Sequence, residues 1–282
     1  MHVLVAGAGW LGGSVARALA AGGHRVTAVR RDPGRAARLA SPGVEPLPLD
    51  LSEPGAWRHL PRDLDAVVAS QSASEPGPEG YRRAYVDCTR TILEALRAAG
   101  RPAVLLYTGS TGVFGQRDGS DVDEETPPAP ASAEAEVMVE AEDLVRAASG
   151  EGIRSVVLRL SGIYGPGRTW PLDRVRDGYI ALGPGDQAWL NLCHLEDAVS
   201  AVVAGLAHGS AGGVYHATDA EPVRRRDLVR WVSSRLGIEP PRLPPDARAP
   251  QGPDRRIRGE RSRAALGLEL RYPTFRDGLS QG

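Results

Sequence analysis

Three glycines near the start of the chain have the spacing of a phosphate cradle. The apolar run His2-Val3-Leu4-Val5-Ala6 leads directly into Gly7-Ala8-Gly9-Trp10-Leu11-Gly12, which opens an amphipathic stretch. In a strand–turn–helix unit the first glycine permits the tight turn, and the second lets the backbone approach a pyrophosphate. The third lets the helix lie close to the strand, with its positive end facing the phosphates. Gly7, Gly9 and Gly12, with Trp10 and Leu11 between them, are therefore expected to hold a dinucleotide. A second apolar run ends Val29-Arg30-Arg31-Asp32. An NAD site commonly places a carboxylate near this point for the ribose 2′-hydroxyl. Here two guanidinium groups come first, and Arg30 and Arg31 suit a 2′-phosphate, so NADP is expected ahead of NAD. Asp32 precedes Pro33 and reads as a turn residue. Asp50, which follows a third apolar run, reads either as an adenine contact or as a turn carboxylate.

Composition removes several other chemistries. The 282 residues contain no lysine, so all 34 basic side chains are arginine. Mechanisms that need a lysine amine, Schiff bases and the Walker-type phosphate lysine among them, are excluded. Hydrophobic residues make up 41% and charged residues 24%, which is enough to bury a substantial core. A net charge of −1 gives no reason to expect a nucleic-acid or anionic-membrane partner. Cys88 and Cys193 form no ligand-spaced cluster, so neither a metal site nor a disulfide framework is expected. No leader-like segment opens the sequence and no apolar run approaches the ~20 residues of a membrane span, so a reducing cytoplasm is the expected location.

Short apolar runs alternate with helical patterns through the first half, which is the signature of βαβ units. Strands are expected at 2–6, 25–29, 44–48, 66–69, 103–107 and 155–160, and helices at 11–21, 34–39, 81–99 and 133–148. Right-handed crossovers then give an α/β fold, a Rossmann doubly wound parallel sheet. After residue 160 glycine- and proline-rich loops flank a short helix at 172–181. A helix at 196–207 and a strand at 214–217 return to the sheet, and a further helix at 225–236 precedes a proline-rich turn at 240–253 and a basic terminal stretch. The expected division is a dinucleotide-binding core over 1–160, completed by about 189–218, with 161–282 mainly a substrate-covering lobe.

Three further strings extend the glycine motif along the chain. After Gly7–Gly12 come Leu106-Tyr107-Thr108-Gly109-Ser110-Thr111-Gly112-Val113-Phe114-Gly115, Leu158-Arg159-Leu160-Ser161-Gly162-Ile163-Tyr164-Gly165-Pro166-Gly167, and Asn191-Leu192-Cys193-His194-Leu195-Glu196-Asp197-Ala198. With these the chain resembles the extended and atypical short-chain dehydrogenases, the NAD-dependent epimerase/dehydratase family. The resemblance implies that Ser110 orients a substrate carbonyl or hydroxyl, with Thr111 its neighbour, and it leaves a homodimer open. It also implies a tyrosine acid/base with a lysine four residues on, and here the chain departs from the pattern. Aligned on Glu142, the tyrosine position holds Glu134 and the lysine position Met138, and no tyrosine lies between Tyr107 and Tyr164. A tyrosine of ordinary pKa near 10 needs such a cation to work as a base near neutrality. Atypical branches of the family lack the pair, and the Glu/Ala-rich helix here looks like one of them.

Other residues must then handle protons. Glu134 is either a solvated helix glutamate or a carboxylate whose pKa is raised at the mouth of an apolar pocket. His194 is either a proton shuttle or a hydrogen-bonded structural histidine. Tyr164 either reaches the nicotinamide or substrate, or packs. Arg168, Trp170 and Asn191 are candidates for lining a substrate pocket. Three functions remain open on this reading: an NADP-dependent reductase of a small metabolite, a non-redox biosynthetic enzyme performing proton transfer, cyclisation, dehydration or epimerisation, and a nucleotide-sensing protein without chemistry.

Overall fold

Val3, Leu4, Val5 and Ala6 send side chains to both faces of their strand, and none of the four has exposed surface. A parallel strand apolar on both faces needs a helical layer on each side, and the crossover connections supply it. The computed structural model, which describes residues 1–150, 152–244, 246–248 and 252–280, has this arrangement. In chain order the first half is β1 (His2–Ala6), α1 (Trp10–Ala21), β2 (Arg25–Arg30), α2 (Pro33–Ala37), β3 (Val44–Pro48), β4 (Ala66–Ala69), α3 (Gly77–Tyr81), α4 (Cys88–Ala99), β5 (Ala103–Ser110), β6 (Asp121–Val122) and α5 (Ala133–Ala147). The second half opens with β7 (Ile153–Leu160), β8 (Gly162–Tyr164), α6 (Trp170–Arg176), β9 (Trp189–Leu190), β10 (Leu192–His194) and α7 (Leu195–His208). It closes with β11 (Gly213–Ala217), β12 (Val223–Arg224), α8 (Arg225–Leu236), β13 (Arg256–Ile257), α9 (Glu260–Leu266) and α10 (Phe275–Leu279).

Seven strands form one sheet in the order β11-β7-β5-β4-β1-β2-β3, and every neighbouring pair is parallel. Val15 and Leu19 of α1 and Ala198 and Val202 of α7 pack with Val3, Val5 and Leu158 on one face. Ile92 and Leu96 of α4 and Val137 and Val145 of α5 pack with Leu4, Leu105 and Val157 on the other. The expected doubly wound α/β sheet is thus present. The chain winds outward from β1 to β3 and then crosses back to β4 on the other side of β1. The connections leaving β1 and β4 therefore diverge and open a crevice at their carboxyl ends, where ligands bind in such sheets.

Beyond Leu160 the chain serves both core and lobe. β11 is an edge strand of the main sheet, and Leu266 of α9 joins the same core as α1 and α7. A separate lobe core gathers Tyr164, Val175, Leu192, Leu228, Phe275 and Leu279. Short pairings of β8 with β10, β9 with β12 and β6 with β13 form separate two-stranded sheets outside the main one.

Several boundaries differ from the sequence expectation for local reasons. The helix expected at 172–181 ends at Arg176, because Gly178 takes φ 77° and cannot continue it. α2 begins at Pro33, which needs no amide partner at the first helical position, and Asp32 accepts a hydrogen bond from the Arg35 amide at 2.7 Å. The helix expected at 81–99 starts earlier, at Gly77, and passes through a π turn at Arg82–Asp87. α9 and α10 lie where only a basic stretch was expected. Part of the proline-rich turn at 240–253 lies outside the described residues.

One buried ion pair joins the two central layers. Arg159 of β7 donates to both Glu142 oxygens, from Nε at 3.2 and 3.0 Å and from Nη2 at 2.8 Å, and the side chains are 3% and 2% exposed. The Arg159 guanidinium also lies 4.9 Å from the centre of the Phe114 ring. Such a pair contributes little net stability but is costly to break on one side. Arg159→Leu alone should lower unfolding free energy by about 3–5 kcal/mol, and the double replacement Glu142→Leu/Arg159→Leu should recover much of that loss, both read from urea denaturation midpoints.

Candidate active site

At the carboxyl end of β1 the three glycines do three different jobs. Gly7 has φ 80°, and a Cβ there would come within 2.3 Å of the Gln71 backbone. A Cβ on Gly12 would fall 2.5 Å from both the Gly7 carbonyl oxygen and Ser70 Oγ, so α1 can lie this close to the turn only with glycine at that position. A Cβ on Gly9 would meet nothing nearer than the Gly7 carbonyl at 3.8 Å. That unobstructed face at the N-terminus of α1 is what a pyrophosphate requires. Trp10 and Leu11 begin the helix. The Trp10 Nε1 donates to the Pro166 carbonyl at 3.0 Å, and Arg168 sits 4.6 Å above its ring, so the turn is fastened to the loop after β8.

A cleft of 350 Å³ runs from this turn along the ends of β2, β3 and β4. Gly7, Gly9, Arg30, Arg31, Arg35, Asp50 and the loop Gln71–Glu75 line it. Arg30 donates to the Ala8 carbonyl at 3.2 Å, which holds the guanidinium beside the turn. Arg31 donates to Ser74 Oγ at 3.0 Å and lies 3.7 Å from an Asp50 oxygen. Asp50 also accepts from the Ser52 amide and hydroxyl at 3.0 and 2.7 Å, so it is both a turn carboxylate and a wall of the cleft. Both polar atoms of the Gln71 side chain are buried without a protein partner, as expected of a group that bonds to a ligand here. Cys88 also lines the cleft, but burial pushes its thiol up to about 12, leaving it neutral.

Ser110 ends β5 and caps the short turn Thr111–Val113, its Oγ accepting from the Gly112 amide at 3.0 Å. The buried Thr111 hydroxyl donates to the Leu160 carbonyl at 3.4 Å, which gives it a structural task. Glu134 lies half-buried in the first turn of α5, whose N-cap Ser132 accepts from the Ala135 amide at 3.2 Å. One helical turn on, Met138 is buried with Val113, Phe114, Ala135 and Ile257, and Tyr81 and Tyr85 pack against the same cluster. An apolar plug therefore fills the place of the family's lysine. Among the described residues no cluster of histidine, cysteine or carboxylate side chains could hold a metal ion.

Two candidates prove to be occupied elsewhere. His194 is the N-cap of α7, with Nδ1 accepting from the Glu196 amide at 3.3 Å, and its ring lies 3.7 Å from that of Tyr272. Desolvation lowers its pKa, which favours the neutral ring, and the residue is only 3% exposed. Tyr164 is fully buried, with no exposed surface, in the lobe core, where a Cβ on Gly278 of α10 would come within 2.3 Å of its hydroxyl. Of its two readings the structure describes packing: its hydroxyl is closed off by α10, and burial drives its pKa upward. Trp170 donates to the Ile163 carbonyl at 3.0 Å and leans over Gly162. Asn191 clamps β13, donating from Nδ2 to the Arg255 carbonyl at 2.9 Å and accepting at Oδ1 from the Ile257 amide at 2.8 Å.

The comparisons with known proteins agree with this geometry. The model of the NAD dependent epimerase/dehydratase family matches residues 3–218. The chain belongs to that family. It is 30% identical, over all of both chains, to a 3-diazoavenalumate denitrifying reductase of a Streptomyces species. It is 31% identical to Protein YeeZ of Escherichia coli, across 96% of each chain. Among solved structures it shares its fold with MoeE5 in complex with UDP-glucuronic acid and NAD, at a TM-score of 0.81 and 24% identity over 99% of this chain and 97% of that one. Family membership makes it an NAD(P)-dependent enzyme of the oxidoreductase or epimerase type.

Sequence reasoning overlooked Gln71, Ser74 and Arg35 in the cleft, although the first two directly follow a strand that neighbours β1. The glycine geometry makes opposite demands at two positions. Gly9→Ala should leave the melting temperature unchanged while weakening dinucleotide binding by about tenfold or more, whereas Gly12→Val should also destabilise the fold by about 1–3 kcal/mol; fluorescence titration and thermal melts separate the two effects.

Proposed function

We propose that the chain is an NADP-dependent reductase of a small metabolite, working through Ser110 without the tyrosine–lysine pair. The observation that carries the cofactor choice lies at the end of β2. Asp32, the first carboxylate available there for a ribose 2′-hydroxyl, is instead engaged in capping α2 at 2.7 Å. Arg30, Arg31 and Arg35 line the same part of the cleft, and no other carboxylate intervenes between Arg30 and Arg35. Asp50, 3.7 Å from Arg31, offsets one of these three guanidinium groups, and the positive charge left over favours a 2′-phosphate dianion. The resemblance to a denitrifying reductase supports reduction as the direction of the chemistry.

A bound nicotinamide ring supplies the hydride. The chain's own part is to position and to shield. The backbone amides in the first turn of α1 would hold the pyrophosphate, the Gly9 amide being spent on the Gly7 carbonyl at 2.6 Å, and Gln71 offers the cleft two polar atoms without a partner among the described residues. Ser110 Oγ stands at the end of the strand beside β4, where it can donate to a carbonyl-type acceptor and favour the negative charge that develops there. Met138 cannot deliver a proton, so the proton comes from water, from Glu134 at the head of α5, or from the substrate itself. Reductions that need little acid assistance fit such a site best.

Charge reversal at the β2 end tests the reading. Arg30→Glu/Arg31→Glu should weaken NADPH binding by about tenfold to a hundredfold, with NADH affected far less; equal losses for both nucleotides would refute the 2′-phosphate assignment.

A further inference from the structure

We propose that Arg255 is an anion-holding residue of the substrate pocket, and that the group it takes is a carboxylate of the molecule presented to Ser110. The inference rests on the reductase reading for the place of the reacting group, and it adds the chemical class of the substrate. Arg255 is only 6% exposed. Among the described residues its side chain makes one hydrogen bond, from Nη2 to the Thr111 carbonyl at 2.6 Å, and its buried Nε has no partner there. Among the described residues no carboxylate pairs with it, and burial alone pushes its guanidinium down to about 10, still cationic near neutrality. The contrast is Arg159, also buried but matched along its Nε–Nη2 edge by the Glu142 carboxylate. An unmatched guanidinium is costly to hold inside a protein, and its remaining donors suit a planar carboxylate.

The position is specific. Thr111 directly follows Ser110, so the guanidinium is bonded to the very turn that presents the serine hydroxyl. Two further buried polar atoms without partners flank that turn. One is Ser161 Oγ, next to the Leu160 carbonyl that accepts from Thr111, and the other is Gln116 Oε1, whose backbone carbonyl accepts from the Asp254 amide at 3.0 Å. Asn191 and the pairing of β13 with β6 hold the Arg255 backbone rigidly in place. A cation, an amide oxygen and a hydroxyl, none of them fully partnered among the described residues, thus sit on the segments bonded to or paired with the turn after Ser110. One guanidinium with one unit of charge matches a monoanionic carboxylate better than a phosphate dianion. The substrate of the Streptomyces relative is also named as a carboxylate.

The test uses the full-length protein loaded with NADP⁺ and three probes: cinnamate, its neutral isostere cinnamamide, and phenyl phosphate. Calorimetry should show cinnamate bound about tenfold or more tightly than cinnamamide, with phenyl phosphate no better than cinnamate. Arg255→Gln should erase the preference for cinnamate while leaving NADPH affinity and the circular dichroism spectrum unchanged. Arg255→Met, which removes the unmatched charge, should keep or raise the melting temperature. Equal binding of cinnamate and its amide, no binding of either, a preference for phenyl phosphate, or an undiminished preference in Arg255→Gln would each overturn the proposal. Failure of the wild-type protein to bind NADPH would instead strike the cofactor reading, so the two failures are told apart.

Discussion

The geometry of the carboxyl edge depends on how closely α1 lies against the turn before it. Ser70 Oγ donates to the Ala6 and Gly7 carbonyls at 3.1 and 3.3 Å, and a Cβ on Gly12 would strike both the Gly7 carbonyl and that hydroxyl. The ends of β1 and β4 and the start of α1 are thereby fixed against one another. This close contact points the first amides of α1 at the crevice and sets the floor of the cleft that continues to Arg30 and Asp50. Without it, the divergence of the chain at β1 and β4 would yield a gap with no directed hydrogen-bond donors.

On that scaffold the family's proton-transfer apparatus has been replaced by packing. Met138 sits where a lysine would be expected, inside a cluster closed by Val113, Phe114 and Ile257 and bordered by Tyr81 and Tyr85. The hydride-transfer half of the site and the acid/base half are therefore separable in this chain. On the proposed reading, positioning groups remain at Ser110 and in the glycine turn, while the acid is left to solvent, Glu134 or substrate. The cost of this loss depends on the reaction, being large where an alkoxide must be protonated in the transition state and small where it need not be.

Much of this could be read from the sequence because its causes are local. Gly7, Gly9 and Gly12 act within one strand–turn–helix, and the sheet strands announce themselves by being apolar on both faces. Asp32 as a turn residue followed from its position before Pro33. What was left open or missed depends mostly on segments far apart in the chain. Tyr164 becomes a core residue because α10 returns more than a hundred positions later and sets Gly278 on its hydroxyl. His194 becomes a cap because the chain turns into α7 at that point, and its ring is then covered by Tyr272. Arg255 looked like one charge in a basic tail; only the pairing of β13 with β6 and the Asn191 clamp carry it inside. α9 and α10, seven and five residues long, are too short to show a helical period among so many arginines.

The central claim is that the opening turn and the arginines beyond β2 together form a working NADP site in a chain that has dispensed with the tyrosine–lysine pair. Isothermal titration of the wild-type protein with NADPH and with NADH tests it most directly. The account predicts one site per chain, with NADPH bound about tenfold or more tightly than NADH. Absence of binding by either nucleotide, or a preference for NADH, would contradict it.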